Sequence, residues 1–214
     1  RSIPFVTVSL IVANAAVFVW EMMLPPDAYG ALIRTMGVTP SSLTHFPLEA
    51  GRLLHGGLSL FTAMFLHGSI PHVAFNMLYL WIFGNNVEDV MGHGRFLVFY
   101  LACGLIASFT QVAASPLSQV PMIGASGAVS GILGAYLVLY PAARVLTLVF
   151  LVFFIRVIPF PAIILLGFWF LLQLLDIGPV AAGGVAVLAH IGGFGAGAAL
   201  IAAFRRRRPR QSLF

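Results

Sequence analysis

The sequence predicts an all-α polytopic membrane protein with six transmembrane helices, and three observations support this fold class. Mean hydropathy is +1.03, and only 8% of the 214 residues are charged, whereas water-soluble domains carry roughly 25%. Apolar stretches also recur at about the 20-residue length that a helix needs to cross a bilayer. The length suits one compact bundle rather than two domains, so residues 1–214 are expected to form a single membrane domain.

Six apolar segments, separated by loops, are candidate spans. They cover about residues 4–23, 71–91, 95–114, 126–140, 160–175 and 184–204. The long first loop is broken by Pro and Gly and is expected to hold short interfacial helices such as residues 50–65. Val145–Ile155 is apolar but only eleven residues long, between Arg144 and Arg156. It is too short to cross, so we predict an extended or interfacial connection between the fourth and fifth spans.

The arginines predict the orientation. Every basic residue is Arg, and with six spans nine of the eleven fall on the side of both termini, leaving Arg34 and Arg52 on the other. By the positive-inside rule both termini are expected in the cytoplasm. The cluster at Arg205–Arg208 is interpreted as part of a membrane anchor, because a nucleic-acid site would need a basic face on a folded domain.

Polar residues gather near the outer ends of three spans. With this orientation the second, fourth and sixth spans start on the outer side, and their first turns carry His72, Asn76, Ser126 and His190. All lie within about two turns of a helix start, so they can share one depth in the membrane. Polar side chains in spans are costly and usually face a bundle interior or a water cavity. We therefore expect these four residues to converge.

A close crossing of two spans is predicted from small residues. They recur every four positions on the fourth span, from Gly127 to Ala135, and on the sixth span at Gly193 and Gly197. Such faces let helix backbones approach closely in membranes. A crossing here would bring the Ser126 hydroxyl within hydrogen-bonding reach of His190.

This convergence predicts nucleophilic catalysis. Ser126 would be the nucleophile and His190 the general base that takes its proton and later returns it to the leaving amine. Asn76 and His72 share a helix face and offer N–H donors to a negative oxygen. The backbone N–H of Ser126, at a helix N-terminus, would add a third donor.

A carboxylate partner for the histidine is not evident. Glu88 and Asp89 lie about 18 Å from Asn76 by helical rise, in the other leaflet. Asp176, in a loop at the outer end of the fifth span, remains an open candidate. We therefore predict a Ser–His dyad, with no cofactor and no metal site.

Three sequence blocks resemble the rhomboid family of intramembrane serine proteases, of the bacterial type with a six-transmembrane core. They are Phe65–Ser69 followed by His72 and Asn76, then Gly124–Gly127, and then Ala189–Gly193. The likeness covers essentially the whole chain. Three blocks in this order, on spans of the same direction, are far more specific than Gly-x-Ser-Gly alone.

The resemblance implies a function and a substrate class. It implies a serine endopeptidase that cleaves transmembrane segments of membrane proteins near the outer face of the bilayer, with Ser126 as nucleophile and His190 as base. It also implies a mobile fifth helix that acts as a gate, where Phe75 would meet Phe168 or Trp169. The expected location is a bacterial plasma membrane, and the oligomeric state is left open.

The sequence departs from some relatives, and other interpretations remain. Some relatives have an aromatic residue where Ser130 stands, packed on the catalytic histidine. Ser126 alone could be a helix cap, Asn76 interhelical glue, and His72 a loop bridge. An inactive rhomboid-like chaperone or adaptor is the alternative function, although such proteins typically lack the Ser or the His. A transporter would need inverted repeats and an ionisable residue at midplane, which this sequence does not display.

Overall fold

The computed structural model describes residues 3–44, 50–151, 154–175 and 186–206, which are mostly helical. The helices in these ranges are α1 (Phe5–Met22), α2 (Pro26–Met36), α3 (Pro40–Thr44), α4 (Ala50–Thr62), α5 (Ile70–Tyr79), α6 (Asn85–Met91), α7 (His93–Ala114), α8 (Ser126–Leu139), α9 (Ala162–Leu175) and α10 (Val187–Phe204). A 3-10 turn, Ala63–Phe65, extends α4, and a π-helical turn, Leu80–Gly84, joins α5 to α6. Strands β1 (Arg144–Leu151) and β2 (Phe154–Pro161) connect α8 to α9.

Each predicted span corresponds to a helix or a continuous helical run, with ends that differ by up to three residues. Within the described residues, α1, α7 and α10 are long and apolar enough to cross a membrane. A fourth crossing follows if Gly56–Phe65 and Ile70–Met91, which meet at 84°, act as one bent span. Helices α8 and α9 are shorter, at 14 residues each. The predicted start of the sixth span at residue 184, and the tail arginines from 207 onward, lie outside the described residues.

Many large apolar side chains face outward from the bundle. Val12 on α1, Phe109 on α7 and Phe168 on α9 are 60%, 54% and 60% exposed. Contiguous apolar surface of this kind is uncommon on soluble monomers, and it suits contact with hydrocarbon. Its apolar composition and its exposed apolar side chains therefore both identify the protein as an integral membrane protein.

The prediction of an all-α class is wrong for one segment. Strands β1 and β2 form an antiparallel hairpin in which Leu148 pairs with Val157 and Leu146 with Pro159. The exposed apolar residues Leu146, Leu148, Ile155 and Val157 share one face, whereas Val145 on the other face is buried. The β-branched and aromatic residues favour this extended form. The described residues of this predicted connection, 145–151 and 154–155, are thus extended, as their composition indicated.

The hairpin also shifts the start of the fifth helix. The predicted span begins at residue 160, but Phe160 and Pro161 still pair with β1, so α9 begins at Ala162. The Ala162 N–H donates to the Ala143 carbonyl at 2.7 Å, which places the start of α9 beside the end of α8.

Helix α10 packs mainly against α8 and α7, and glycines permit the closest crossing. A Cβ added to Gly193 would overlap the carbonyl oxygen of Gly127, and one added to Gly197 would overlap that of Gly131. The predicted close approach of these two helices is confirmed. It brings the start of α8 beside the start of α10.

Hydrogen bonds at one end of the bundle, here called the glutamate end, join α1, α6 and α7. The fully buried Glu88 carboxylate accepts from the N–H groups of Val6 and Thr7 at 2.9 and 2.8 Å, and from the Thr7 hydroxyl at 2.6 Å. His93 Nδ1 lies 2.6 Å from the same carboxylate. The backbone N–H of Arg206, which follows α10, donates to the Val90 carbonyl at 3.2 Å. The ends of these helices therefore meet here.

The opposite end, here called the site end, holds the starts of α5, α8 and α10. It also receives the last turn of α1, where Glu21 accepts from the His67 N–H at 3.2 Å. The long first loop is tied to the segment before α8 by a β-bridge between Val38 and Met122. This loop contains the short helices α2, α3 and α4, in agreement with the sequence prediction.

Candidate active site

The structure brings Ser126 and His190 into direct contact. Ser126 is the first residue of α8, and His190 lies one turn into α10. Ser126 Oγ is 2.8 Å from His190 Nε2, the distance of a good hydrogen bond. The pair therefore places the serine hydroxyl within hydrogen-bonding distance of an imidazole nitrogen.

Glycine at position 124 sets the backbone before Ser126. Gly124 has φ of +122°, which side chains of L-residues rarely adopt. Its N–H donates to the Ala63 carbonyl at 2.8 Å. A Cβ at this position would lie 2.7 Å from His72 Nε2 and 3.6 Å from Ser126 Oγ. The missing side chain therefore leaves room for the imidazole of His72 to face the serine.

The hydrogen bonds of His72 indicate which ring nitrogen carries the proton. Ser69 caps α5 by accepting from the His72 N–H at 3.3 Å. The Gly68 N–H donates to His72 Nδ1 at 3.4 Å, so Nδ1 is the acceptor. A neutral ring then carries its proton on Nε2, the nitrogen that lies beside Gly124.

Asn76 lies one turn after His72 and is buried, with 6% exposure. Its Nδ2 donates to the His72 carbonyl at 3.0 Å, within the same helix. An amide nitrogen has two N–H groups, so one remains for another acceptor. Asn76 lines the same cavity as Ser126.

This cavity opens beside the serine and has a volume of about 520 Å³. Its wall includes Ser126, His190, Asn76, His72, Phe75 and Trp169. All four predicted catalytic and oxyanion residues therefore share it. Of the candidate gate residues, Phe75 and Trp169 lie on its wall, whereas Phe168 is 60% exposed on the outer side of α9.

Two residues of α9 contact His190, and the sequence analysis missed one of them. Gln173 Oε1 is 2.8 Å from His190 Nδ1. Trp169 lies one turn earlier on α9. The centroid of its ring is 6.3 Å from that of the His190 imidazole, and the two ring planes are tilted by 38°. Gln173 is the only polar residue in the segment Ala162–Leu175, and this isolation was the available signal.

The aromatic contact on His190 comes from an unexpected helix. Ser130, which stands where some relatives have an aromatic residue, donates its hydroxyl to the Ser126 carbonyl at 2.7 Å. Trp169 on α9 supplies an aromatic ring beside the imidazole instead. Asp176, the open candidate for a third member, lies outside the described residues.

Behind the site, Glu21 and His67 support the loop that leads to α5. Glu21 is 3% exposed and accepts from the His67 N–H, an interaction that the sequence analysis did not predict. The His67 ring packs edge-on against His72 at 4.9 Å. Burial, and to a lesser extent the nearby His72 ring, lowers the pKa of His67 to about 4. His67 is therefore a neutral support for the His72 ring at physiological pH.

Apolar helices around a half-buried Ser–His pair define a class of membrane protein whose site has a hydrogen-bond geometry similar to that of serine hydrolases. Residues 55–207 match the model of the rhomboid domain, which is more than half of the chain. The chain belongs to the rhomboid family.

Relatives of this chain occur in bacteria and in mitochondria. The rhomboid protease GluP of Bacillus subtilis is 49% identical over 78 residues, which are 36% of this chain and 15% of that protein. The putative rhomboid protease YdcA of the same organism is 36% identical over 78 residues, or 36% of this chain and 39% of that protein. The presenilin-associated rhomboid-like protein of Rattus norvegicus mitochondria is 31% identical over 145 residues, 66% of this chain and 34% of that protein. The chain thus spans well under half of each of these relatives, and the bacterial plasma membrane stays a prediction.

Proposed function

We propose that this protein is an intramembrane serine endopeptidase that cleaves transmembrane segments of membrane proteins by a Ser–His dyad. The observation that carries the proposal is the 2.8 Å contact between Ser126 Oγ and His190 Nε2 on the wall of a cavity. A serine next to an imidazole in a membrane-embedded bundle supports acyl transfer, because the imidazole can take the hydroxyl proton as the oxygen attacks.

The first step forms an ester with the substrate. Ser126 Oγ attacks the carbonyl carbon of the scissile peptide bond while its proton passes to His190 Nε2. The carbonyl oxygen becomes an oxyanion in a tetrahedral intermediate. When this intermediate collapses, the carbon–nitrogen bond breaks and His190 returns the proton to the leaving amine.

Donors around Ser126 would stabilise the oxyanion. The Ser126 N–H lies at the N-terminus of α8, where the first amides have no intrahelical partner and the helix dipole favours negative charge. His72 contributes Nε2–H, and Asn76 contributes the N–H that its own helix does not use. Fixed donors of this kind are commonly the largest single contribution to catalysis of acyl transfer.

Hydrolysis of the ester regenerates the enzyme. A water molecule gives a proton to His190 as its oxygen attacks the ester carbon. The second tetrahedral intermediate then expels Ser126 Oγ, which recovers the proton from His190. The products are a new carboxylate and the amine released earlier, so no cofactor is needed.

The membrane setting defines the substrate class. We infer six spans, with both termini cytoplasmic, so that the site end lies near the outer face of the bilayer. The proposal includes Phe75 and Trp169, which flank the cavity, as the side chains between which a transmembrane substrate would pass. The location in a bacterial plasma membrane belongs to the same proposal.

The names of two bacterial relatives support peptidase activity. GluP is described as a rhomboid protease and YdcA as a putative one. The alternative, a rhomboid-like chaperone or adaptor without activity, predicts binding of membrane proteins without turnover. The presence of Ser126 and His190 in hydrogen-bonding contact favours the peptidase.

The decisive experiment compares purified variants in proteoliposomes with a model transmembrane substrate. Ser126→Ala and His190→Ala should each abolish cleavage, because each removes a partner in proton transfer, while both proteins still insert and fold. A fluorophosphonate probe should label the wild type and Ser118→Ala, and it should not label Ser126→Ala. Ser118 is a loop serine whose hydroxyl accepts from the Val120 N–H, away from His190, which makes it a matched control.

Two results would refute this function. One is undiminished cleavage by Ser126→Ala or His190→Ala. The other is substrate binding by a well-folded wild type with neither cleavage nor probe labelling, which would favour the adaptor.

A further inference from the structure

We propose that Gln173 is a positioning residue for His190, and that its side-chain oxygen holds the imidazole with the proton on Nδ1 so that Nε2 can accept from Ser126. The proposal rests on the peptidase function above and deepens it by naming the group that orients the base. Its geometric basis is a chain of two hydrogen bonds of 2.8 Å each, from Ser126 to His190 and from His190 to Gln173.

The protonation pattern follows from what each atom can do. An amide oxygen only accepts, so the His190 Nδ1 that faces Gln173 Oε1 must donate. A neutral imidazole has one donor and one acceptor, so Nε2 is left with a lone pair toward the serine. If the amide were turned over, its NH₂ group would donate to Nδ1, and a neutral ring would then carry its proton on Nε2. The nitrogen beside Ser126 would have no lone pair, so the ring in this form could not take the serine proton. The orientation of Gln173 therefore decides whether the dyad is competent.

The same contact serves the charged state of the ring. When His190 takes the serine proton, both ring nitrogens become donors. Nδ1–H keeps Gln173 Oε1 as its acceptor, so this N–H of the imidazolium stays hydrogen-bonded. Without that acceptor the N–H would be left unpaired, which would raise the barrier to proton transfer.

The position of Gln173 on an otherwise apolar helix fits this role. Its neighbours Leu172, Leu174 and Leu175 are exposed on the surface of α9. A polar side chain on such a helix is unfavourable in lipid unless it faces the bundle and finds a partner. Here the partner is His190.

Helix α9 contacts the base at two points one turn apart. Trp169 lies beside the ring face, and Gln173 binds Nδ1, at i and i+4 on one helix face. The rotation and position of α9 therefore set the orientation of His190. Movement of this helix away from α10 would remove both contacts together.

The kinetic test uses two substitutions at Gln173. A positioning role and a packing role predict opposite orders of kcat for these two variants. Gln173→Leu keeps the approximate side-chain volume and removes the acceptor, so kcat should fall between about 10-fold and 100-fold with little change in KM. Gln173→Glu keeps an acceptor and has no N–H to donate, so it should retain most of the wild-type kcat. Leu172→Ala, on the exposed side of α9, is the control and should match the wild type.

The order of the two variants decides the result. If the role of Gln173 were purely structural, Gln173→Leu would have a higher kcat than Gln173→Glu, because the first keeps an apolar helix and the second adds a charge. That ranking, or full kcat in Gln173→Leu, would overturn the proposal. Ser126→Ala run in parallel reports separately on the peptidase function, since cleavage by that variant would refute the dyad and not the hydrogen bond.

A spectroscopic measurement tests the hydrogen bond without turnover. In protein with ¹⁵N-labelled histidine, the resonances of His190 are assigned by their loss in His190→Ala. We expect the wild-type ring to be neutral and protonated at Nδ1, and Gln173→Leu to lose this preference. A wild-type ring protonated at Nε2 would contradict the proposal, even if Gln173→Leu fails to fold.

Discussion

At the scale of single residues, the polar groups of the site are held by local hydrogen bonds. Asn76 binds the carbonyl one turn before it, and His72 accepts from Gly68. These bonds fix which donors point into the cavity. The geometry of the site therefore depends on backbone contacts within α5 and its preceding loop as much as on Ser126 and His190.

Asn76→Ala is predicted to lower kcat by about 10²-fold or less, as expected for loss of one oxyanion donor. KM should change little, because the donor acts on charge that develops in the transition state. Steady-state cleavage of the model substrate in proteoliposomes measures both constants. Asn86→Ala, which loses a half-buried amide bonded within its own helical run, is the control. Normal specific activity with a reduced yield of folded protein would remove Asn76 from the mechanism.

Residue identity was enough to find part of this site. Ser126, His190, His72 and Asn76 could be selected from the sequence because each is a polar residue near the start of an apolar helix. Gln173 and Glu21 were missed, although each is polar within or at the end of an apolar span. Their partners depend on how α9 and α1 are rotated, which the local pattern does not specify.

At the scale of helices and strands, the crossing of α8 and α10 decides whether the dyad forms. Gly193 and Gly197 face carbonyl oxygens of α8 without space for a side chain. The small-residue spacing predicted this crossing because helices in lipid associate largely through close packing. The hairpin was harder to predict, because its stability depends on pairing between two separate segments.

Gly197→Ala is predicted to lower both stability and activity, whereas Gly195→Ala should leave them unchanged or slightly improved. A Cβ at 197 would push α10 away from Gly131, whereas a Cβ at 195 meets no atom within 4 Å. Both changes gain the same helix propensity, about 1 kcal/mol at most. The thermal midpoint in detergent and the rate of fluorophosphonate labelling measure the two effects. Equal behaviour of the two variants would show that the crossing tolerates separation.

At the scale of the whole molecule, hydrogen bonds tie the helices together at two opposite ends. The site end holds the dyad, and the glutamate end holds Glu88 with the first amides of α1. Since the first N–H groups of a helix lack intrahelical partners, a buried carboxylate there satisfies several of them. At the glutamate end, the partners of the Glu88 carboxylate are amides of α1 and the ring of His93.

Glu88→Ala is predicted to reduce the free energy of unfolding by about 3 kcal/mol, because it leaves the N–H groups of Val6 and Thr7 and the buried Thr7 hydroxyl without an acceptor. The effect should appear in unfolding titrations in mixed detergent micelles. Asn86→Ala, on the same helix, is the matched control and should change stability little. The folded fraction of Glu88→Ala should keep its specific activity, since the dyad lies at the other end. Full stability of this variant would show that α1 is held mainly by packing.

The sequence by itself determined the membrane class, the approximate helix bounds, the helix order and the residue types at the site. Hydropathy, charge and helix-start positions act segment by segment, so they can be evaluated without knowing the neighbours. Only the tertiary structure decided that α9 presents Gln173 to His190, that Glu21 supports the loop before α5, and that β1 pairs with β2. These contacts depend on helix rotation and strand pairing, which result from packing between segments far apart in the chain.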